Sequence, residues 1–256
     1  MRLGLEGRRG LVTGGSKGLG EAIARELVDE GARVAICSRN EQEVTATGEE
    51  IGAAYAQAAD VTDAEQVRDF VARSAEALGG IDFLVNNAGG AHPGTFETLS
   101  DENWRADLDV KLFSLIRCSR EVLPYMRDAG GGRIVNIGAV YSRYPDPTFF
   151  ATSVNRAAGN SFTKTLALEV AKDNILVNGV NIGYVVTPQW DNIHRRRAPE
   201  VPREEFFDRL ARQEVPIGRF GTPDEVSGIV VFLLGDRAGY ITGASIDVAG
   251  GMGKYV

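Results

Sequence analysis

The sequence predicts a doubly wound α/β fold, a mostly parallel sheet with helices on both faces. Three observations predict it. Short β-branched or apolar runs alternate with longer helical patterns along the chain. The runs are apolar on successive residues, as strands covered on both faces are. A glycine-rich turn joins the first run to the first helical pattern.

Taken in order, the first run is Gly10 to Thr13, and the turn Thr13-Gly14-Gly15-Ser16-Lys17-Gly18-Leu19-Gly20 opens the helical pattern Glu21 to Asp29. Further runs are Arg33 to Ser38, Ile81 to Asn86, Arg133 to Gly138 and Ile175 to Asn181. Thr62 with Glu65, and Thr222 with Glu225, have the spacing of capping boxes, the second with Pro223 at the first helical position. The irregular stretch from Pro188 to Pro216 carries Pro199, Pro202 and the cluster Arg195, Arg196, Arg197. It is expected to leave the sheet as a substrate lid. No repeat and no Gly/Ser/Pro-rich linker divides the chain, so one domain is expected over residues 1–256.

The composition excludes several classes. Of 256 residues, 43% are hydrophobic and 25% charged, with 31 Gly and 9 Pro, which argues against disorder and against collagen-like or low-complexity chains. Twenty-eight Lys and Arg against 35 Asp and Glu leave a net charge of −7, the wrong sign for nucleic acid or an anionic membrane surface. The longest apolar run, Ile229 to Leu234, is far short of the roughly 20 residues a membrane helix needs. Met1 to Leu11 holds no signal-like apolar core, so a cytoplasmic location is expected. Cys37 and Cys118 are isolated in apolar stretches and fit buried thiols of a reducing compartment. With His92 and His194 the only histidines, no zinc site is expected.

The glycine turn carries the first functional reading. A tight turn between strand and helix lets a pyrophosphate approach the backbone, where free N–H groups and the helix dipole favour its charge. Gly14, Ser16, Lys17, Gly18, Leu19 and Gly20 are therefore expected to bind a dinucleotide. Near the end of the second run, where NAD enzymes of this architecture carry an acidic residue, the chain has Ser38-Arg39-Asn40. With no carboxylate to repel a 2′-phosphate, and with Arg39 and Lys17 as clamps, NADP(H) is expected in preference to NAD(H). The alternative is that both cations are solvated surface charges.

The T-G-x-x-x-G-x-G spacing resembles that of the short-chain dehydrogenase/reductase family, and the resemblance runs along nearly the whole chain. Asp60-Val61 matches the family's adenine contact, Asn86-Asn87-Ala88-Gly89 its N-N-A-G element, and Ile241-Thr242-Gly243 its Y-I-T-G segment. Asn181-Ile182-Gly183-Tyr184-Val185-Val186-Thr187 is similar to its P-G-x-[IV]-x-T segment, with Ile182 in place of proline. The resemblance implies a Rossmann-type fold and a cofactor held by Asp60, Val61, Asn87, Ala88, Gly89, Gly183, Val185 and Thr187. It also implies a homo-oligomer, tetramer or dimer, formed through helices near Asp101 to Arg127 and Phe149 to Lys172.

The resemblance further implies oxidoreduction of a carbonyl/alcohol pair by an Asn, a Ser, a Tyr and a Lys, and here the chain departs. Arg133 to Ala139 aligns with R-I-[IV]-N-I-x-S and puts Ala139 at the Ser position. Counting back from Phe162-Thr163-Lys164-Thr165-Leu166-Ala167 puts Thr152 at the Tyr position and Arg156 at the Lys position. Trp104 anchors Lys111 at the Asn position. An aliphatic hydroxyl titrates far above a phenol's pKa of about 10, so Thr152 alone is no substitute acid. Arg156 can hold ribose hydroxyls but stays charged. Candidate replacement donors are Lys111, whose ammonium a nearby Arg156 would make more acidic, the alternative being that it reaches solvent or pairs with a carboxylate, and the phenols of Tyr141 and Tyr144, the alternative being apolar lining with the hydroxyl in water. His92 stands near the expected pocket mouth, although a loop histidine facing solvent is the plainer reading. Phe149, Phe150, Tyr184 and Trp190 suggest a small apolar or aromatic substrate, and Arg143 with Arg195 to Arg197 an anionic group on it. The expected activity is NADP(H)-dependent carbonyl reduction with a non-standard proton donor. The alternative is a protein of the same shape that binds nucleotide or a small molecule without turnover.

Overall fold

A computed structural model describes residues 3–253; Met1, Arg2 and residues 254–256, the ends of the expected 1–256 span, lie outside the described residues. The strands are β1 (Arg9–Thr13), β2 (Arg33–Ser38), β3 (Tyr55–Ala58), β4 (Phe83–Asn86), β5 (Gly132–Ala139), β6 (Ile175–Ile182) and β7 (Ser245–Val248). They form one parallel sheet in the order β3-β2-β1-β4-β5-β6-β7. The helices are α1 (Gly18–Asp29), α2 (Glu41–Ile51), α3 (Ala64–Leu78), α4 (Asp101–Leu108), α5 (Ser114–Asp128), α6 (Phe150–Val170), α7 (Pro188–Arg197), α8 (Arg203–Glu214) and α9 (Pro223–Leu234). One π-helical turn, Asp109–Phe113, joins α4 to α5. The doubly wound α/β architecture expected from the alternating runs is therefore observed.

Side-chain alternation in the strands sorts the core into two layers. Val12, Val34, Ile36 and Val85 face α1, α2 and α9, whereas Leu11, Ala35, Cys37 and Leu84 face α3, α5 and α6. Both cysteines are free and buried in the second layer, where burial pushes both thiols up. No described helix is long and apolar enough to cross a membrane.

Two expectations about local structure need correction. The start of α3 is not capped by Thr62. Asp63 is the N-cap, accepting from the backbone N–H of Glu65 and Gln66, because the Thr62 hydroxyl is already donated to Asp60. Residues 188–216 leave the sheet as expected but are not irregular, since they form α7 and α8, with Pro188 and Pro202 at the helix starts. The capping box of Thr222 and Glu225 is formed, with Pro223 in the first turn.

The order of strands reverses between β1 and β4, so the connections leaving their C-terminal ends run to opposite faces of the sheet and open a crevice, the usual ligand position in such sheets. The sequence closes that crevice tightly on one side. Thr13 Oγ1 accepts from the N–H groups of Asn87 and Ala88, at 3.1 Å each. Asn87 Nδ2 donates to the carbonyls of Thr13 and Gly14, at 3.0 and 3.1 Å. A Cβ on Gly20 would collide with the Gly14 carbonyl and the Asn87 amide, and Gly14 has φ +65°, so no larger residue fits at either place without rearrangement.

Candidate active site

The turn after β1 delivers α1 with its N-terminus toward the crevice. Lys17 is the N-cap residue but its side chain does not cap; its ammonium pairs with Glu43, 2.9 Å away. The first-turn N–H groups of α1 thus lack the side-chain acceptor that Asn40, Asp63, Ser100 and Thr222 give α2, α3, α4 and α9. An uncapped N-terminus at a glycine turn suits an anionic group such as a pyrophosphate. Ser16 is buried and its carbonyl accepts from Thr47. Ser38 closes β2 half-buried, followed by exposed Arg39. Asp60 Oδ1 accepts from both the N–H and the hydroxyl of Thr62, and Val61 beside it is buried.

The opposite wall is built from the end of β6. A Cβ on Gly183 would come within 2.8 Å of Ala249 Cα, which keeps this segment low. Val185 is buried and bridges to Gly221, and Thr187 precedes α7 without capping it. Gly18 lies against Thr187 and Pro188, which brings the glycine turn to this wall. The glycine turn and the uncapped helix beside the segment 183–187 have the chemistry to hold an extended dinucleotide.

Between these walls α4, the π-turn and α6 assemble a buried polar cluster. Ser100 and Asn103 form a capping box that starts α4. Lys111 sits in the middle of the widened π-turn, a feature that is frequent at functional sites. Its side chain is 1% exposed, donates to Asp107 Oδ1 one turn back, and donates to Thr152 Oγ1 at 3.1 Å. Asp107, fully buried, also accepts from His92 Nδ1 at 2.7 Å on Oδ1 and from Asn155 Nδ2 at 2.8 Å on Oδ2. Arg156, one turn along α6 from Thr152, donates to the Ile137 carbonyl at 2.7 Å, and its guanidinium lies against Gly89.

The electrostatics follow from two cations facing one carboxylate out of water. Burial pulls the Lys111 ammonium down to about 8; Asp107 opposes this and Arg156 adds to it. Burial alone would raise the Asp107 carboxyl, but the bonds from His92, Lys111 and Asn155 and the Lys111 charge hold it below the ordinary range. Burial also brings Arg156 down to about 10, against the pull of Asp107. Lys111 is thus a more acidic ammonium than an ordinary lysine, in contact with the hydroxyl of Thr152.

The structure brings together Lys111, Thr152 and Arg156, and places Tyr141 elsewhere. Its hydroxyl pairs with that of Tyr184 at 3.0 Å and its ring stacks on Phe149, inside a cluster with Trp190, Phe207 and Phe220. Burial and the Tyr184 hydroxyl push the Tyr141 phenol far up, away from a proton donor's range. Tyr144 is half-buried in the loop before α6. Of the expected aromatic lining, Phe149, Tyr184 and Trp190 share this cluster, while Phe150 turns toward Phe96 and Trp104. Arg143 reaches Asp247, Arg195 bonds Asn192, and Arg197 lies over the Phe149 ring. Asp107 and Asn155 are the site residues the motif reading passes over. The i,i+4 spacing of Asp107 and Lys111 is the one signal that points to the first, and nothing in the sequence points to the second.

The chain is similar over nearly its whole length to several known proteins. The family described as enoyl-(acyl carrier protein) reductase matches residues 14–253. A 3-oxoacyl-(acyl-carrier-protein) reductase of Thermotoga maritima is 33% identical over 252 residues, 97% of this chain and 98% of its own. The structure of L-sorbose reductase from Gluconobacter frateurii, complexed with NADPH and L-sorbose, superposes with a TM-score of 0.93 at 32% identity and covers both chains completely. A short-chain oxidoreductase of Pseudomonas aeruginosa, described as containing an atypical catalytic center, superposes with a TM-score of 0.92 at 34% identity, over 99% of this chain and 100% of that one. It has also been solved with NADPH bound.

Proposed function

Because the chain belongs to the short-chain dehydrogenase/reductase family, an oxidoreductase family, we propose that it reduces the carbonyl of a small, apolar or aromatic substrate with NADPH, using Lys111 through Thr152 as proton donor. The observation that carries this reading is the 3.1 Å bond from the buried Lys111 Nζ to Thr152 Oγ1, at the position where the family carries its tyrosine.

When bound, the nicotinamide supplies a hydride to the carbonyl carbon. The chain supplies the proton and the field. Thr152 Oγ1, already accepting from Lys111, has its own O–H free to donate to the carbonyl oxygen. As that proton leaves, Lys111 passes one to Thr152, so the hydroxyl never stands as an alkoxide. The ammonium releases the proton that the aliphatic hydroxyl cannot release alone. Arg156, fixed by the Ile137 carbonyl against Gly89, supports the developing oxyanion and offers donors to the ribose. Tyr141, Tyr184 and Phe149, packed with Trp190 of α7 and Phe207 of α8, give the apolar wall that suits a small hydrophobic or aromatic ketone.

The test follows NADPH absorbance with a panel of ketones, aldehydes and quinones. Turnover by the native chain supports the reading. No consumption across the panel would instead favour a nucleotide-binding protein without redox activity.

Cofactor choice rests on β2. Since Lys17 is engaged by Glu43, the larger share of the 2′-phosphate contact falls to Arg39. Arg39→Ala is expected to weaken NADPH binding about tenfold, the size of one charge-assisted contact of about 1.5 kcal/mol, and to leave NADH binding unchanged. Titration calorimetry with both cofactors reads this; an unchanged ratio of affinities refutes it.

The proposed assembly is a homo-oligomer through α5 and α6. Phe113, Val154 and Leu168 are large apolar residues left exposed on the π-turn and α6, a surface that association would cover. A light-scattering mass above that of one chain is expected at micromolar concentration, and a monomer mass contradicts it.

A further inference from the structure

The Lys111 ammonium must be restored after every reduction, yet Lys111, Thr152 and Asp107 are all buried. Arg156 cannot restore it, because a guanidinium keeps its protons at the pH of the reaction. The Tyr141 phenol is engaged with Tyr184. Among the described residues hydrogen-bonded to Lys111, Thr152 or Asp107, His92 reaches water, its side chain 41% exposed on the loop after β4.

The geometry points to His92 and Asp107 as the path by which Lys111 regains its proton from solvent, an inference that rests on Lys111 being the donor. The bonds at Asp107 are arranged for it. Oδ2 is held by Asn155 at 2.8 Å, which orients the carboxylate. Oδ1 receives both His92 Nδ1, at 2.7 Å, and Lys111 Nζ. An ionised carboxylate only accepts, so Nδ1 carries the hydrogen toward it. The two steps of the path therefore meet on one oxygen.

The balance is as follows. After a reduction Lys111 is a neutral amine, and rotation about its Cε–Nζ bond turns the lone pair left by the proton given to Thr152 round to Asp107 Oδ1. A proton from water adds to the imidazole at Nε2. The Nδ1–H bond breaks toward Oδ1, and the Oδ1–H bond so formed breaks toward the Nζ lone pair. Imidazolium and amine become imidazole and ammonium, with Asp107 a carboxylate before and after. With the half-exposed ring turned to solvent, water gives a proton to Nδ1 and takes one from Nε2, which restores the original tautomer. The charged groups facing this path are Asp107 and Lys111 from α4 and the π-turn, and Arg156 from α6, whose like charge draws no proton. Neither His92 nor Asp107 touches the substrate; both are positioning residues acting through Lys111.

The test reads the proton itself. With lysine labelled by nitrogen-15, exchange of the Lys111 ammonium protons with water is followed by NMR at pH 6 in the free protein, the signal being identified by its loss in Lys111→Met. His92→Gln, which keeps a polar side chain but cannot carry a proton, is expected to slow this exchange at least tenfold, as is Asp107→Asn. In turnover, His92→Gln lowers kcat about tenfold with KM unchanged, and imidazole added to His92→Ala restores it. Exchange as fast in both variants as in the native chain overturns the path, as does, where Lys111→Met has lost turnover, a kcat equal to native in His92→Gln throughout pH 6 to 9. Slowed exchange together with full turnover by Lys111→Met upholds the path and overturns the donor reading alone, so the two fail separately.

Discussion

Lys111→Met is expected to lower kcat for ketone reduction by about 10²- to 10⁴-fold, the usual worth of a positioned general acid, while NADPH affinity changes little. Lys111 touches Thr152 and Asp107 but belongs to neither wall of the proposed dinucleotide crevice, so the loss should appear in kcat. Thr152→Val should lose a comparable factor, since it cuts the relay at the hydroxyl, whereas Thr152→Ser should keep most of the rate. The pH profile carries the sign. Reduction needs the ammonium, so the native rate should fall as pH rises through about 8, and alcohol oxidation, which needs the amine, should rise there. The same group affects stability. Its folded pKa of about 8 lies below the ordinary 10.5, so between these values the unfolded chain binds more protons and stability rises with pH. That rise should be absent in Lys111→Met. Equal kcat in native and Lys111→Met, measured from NADPH absorbance at saturating substrate, would remove Lys111 from the chemistry.

What was legible in the sequence was whatever local pattern determines. The runs at β1, β2, β4, β5 and β6 are apolar enough to announce central strands, and the glycine turn marks where the dinucleotide crevice opens. The apolar runs do not announce β3 and β7. Tyr55–Ala58 and Ser245–Val248 are four residues each, half-buried at the two edges of the sheet, where Gln57 and Asp247 are tolerated. The family spacing anticipated the closeness of Lys111 and Arg156, since it fixes both against the same strand end. It could not anticipate Asp107 as the anion between them. An aspartate on a helix is ordinarily a solvated charge, and only the packing of α4 against α6, with Asn155 and His92 supplying donors, makes this one a buried hub. Tyr141 shows the converse. Its chain position beside Ala139 suggested a phenol entering the site, but Phe149 and Tyr184 offer a ring stack and a hydroxyl partner in the aromatic cluster.

Asp107→Ala is expected to destabilise the fold by about 3 to 5 kcal/mol, the range found when one partner of a buried ion pair is removed. Three donors lose their acceptor at once, from His92, Lys111 and Asn155, and of these only His92 can turn to water. The like charges of Lys111 and Arg156 then face each other with no anion between them, and Lys111 should lose its proton at a pH below 8. Asp107→Asn keeps an acceptor oxygen and should cost less. The pH dependence identifies the carboxylate as the cause. Its folded pKa is held below the ordinary 3.8, so its contribution is complete above that value and is lost as pH falls through the folded value. The stability difference between native and Asp107→Ala should therefore be full at pH 6 and shrink below about pH 4, as read from urea midpoints along a pH series. A loss under about 1 kcal/mol at pH 6, or a difference that stays constant into acid, would mean that the carboxylate is not the charge on which this cluster depends.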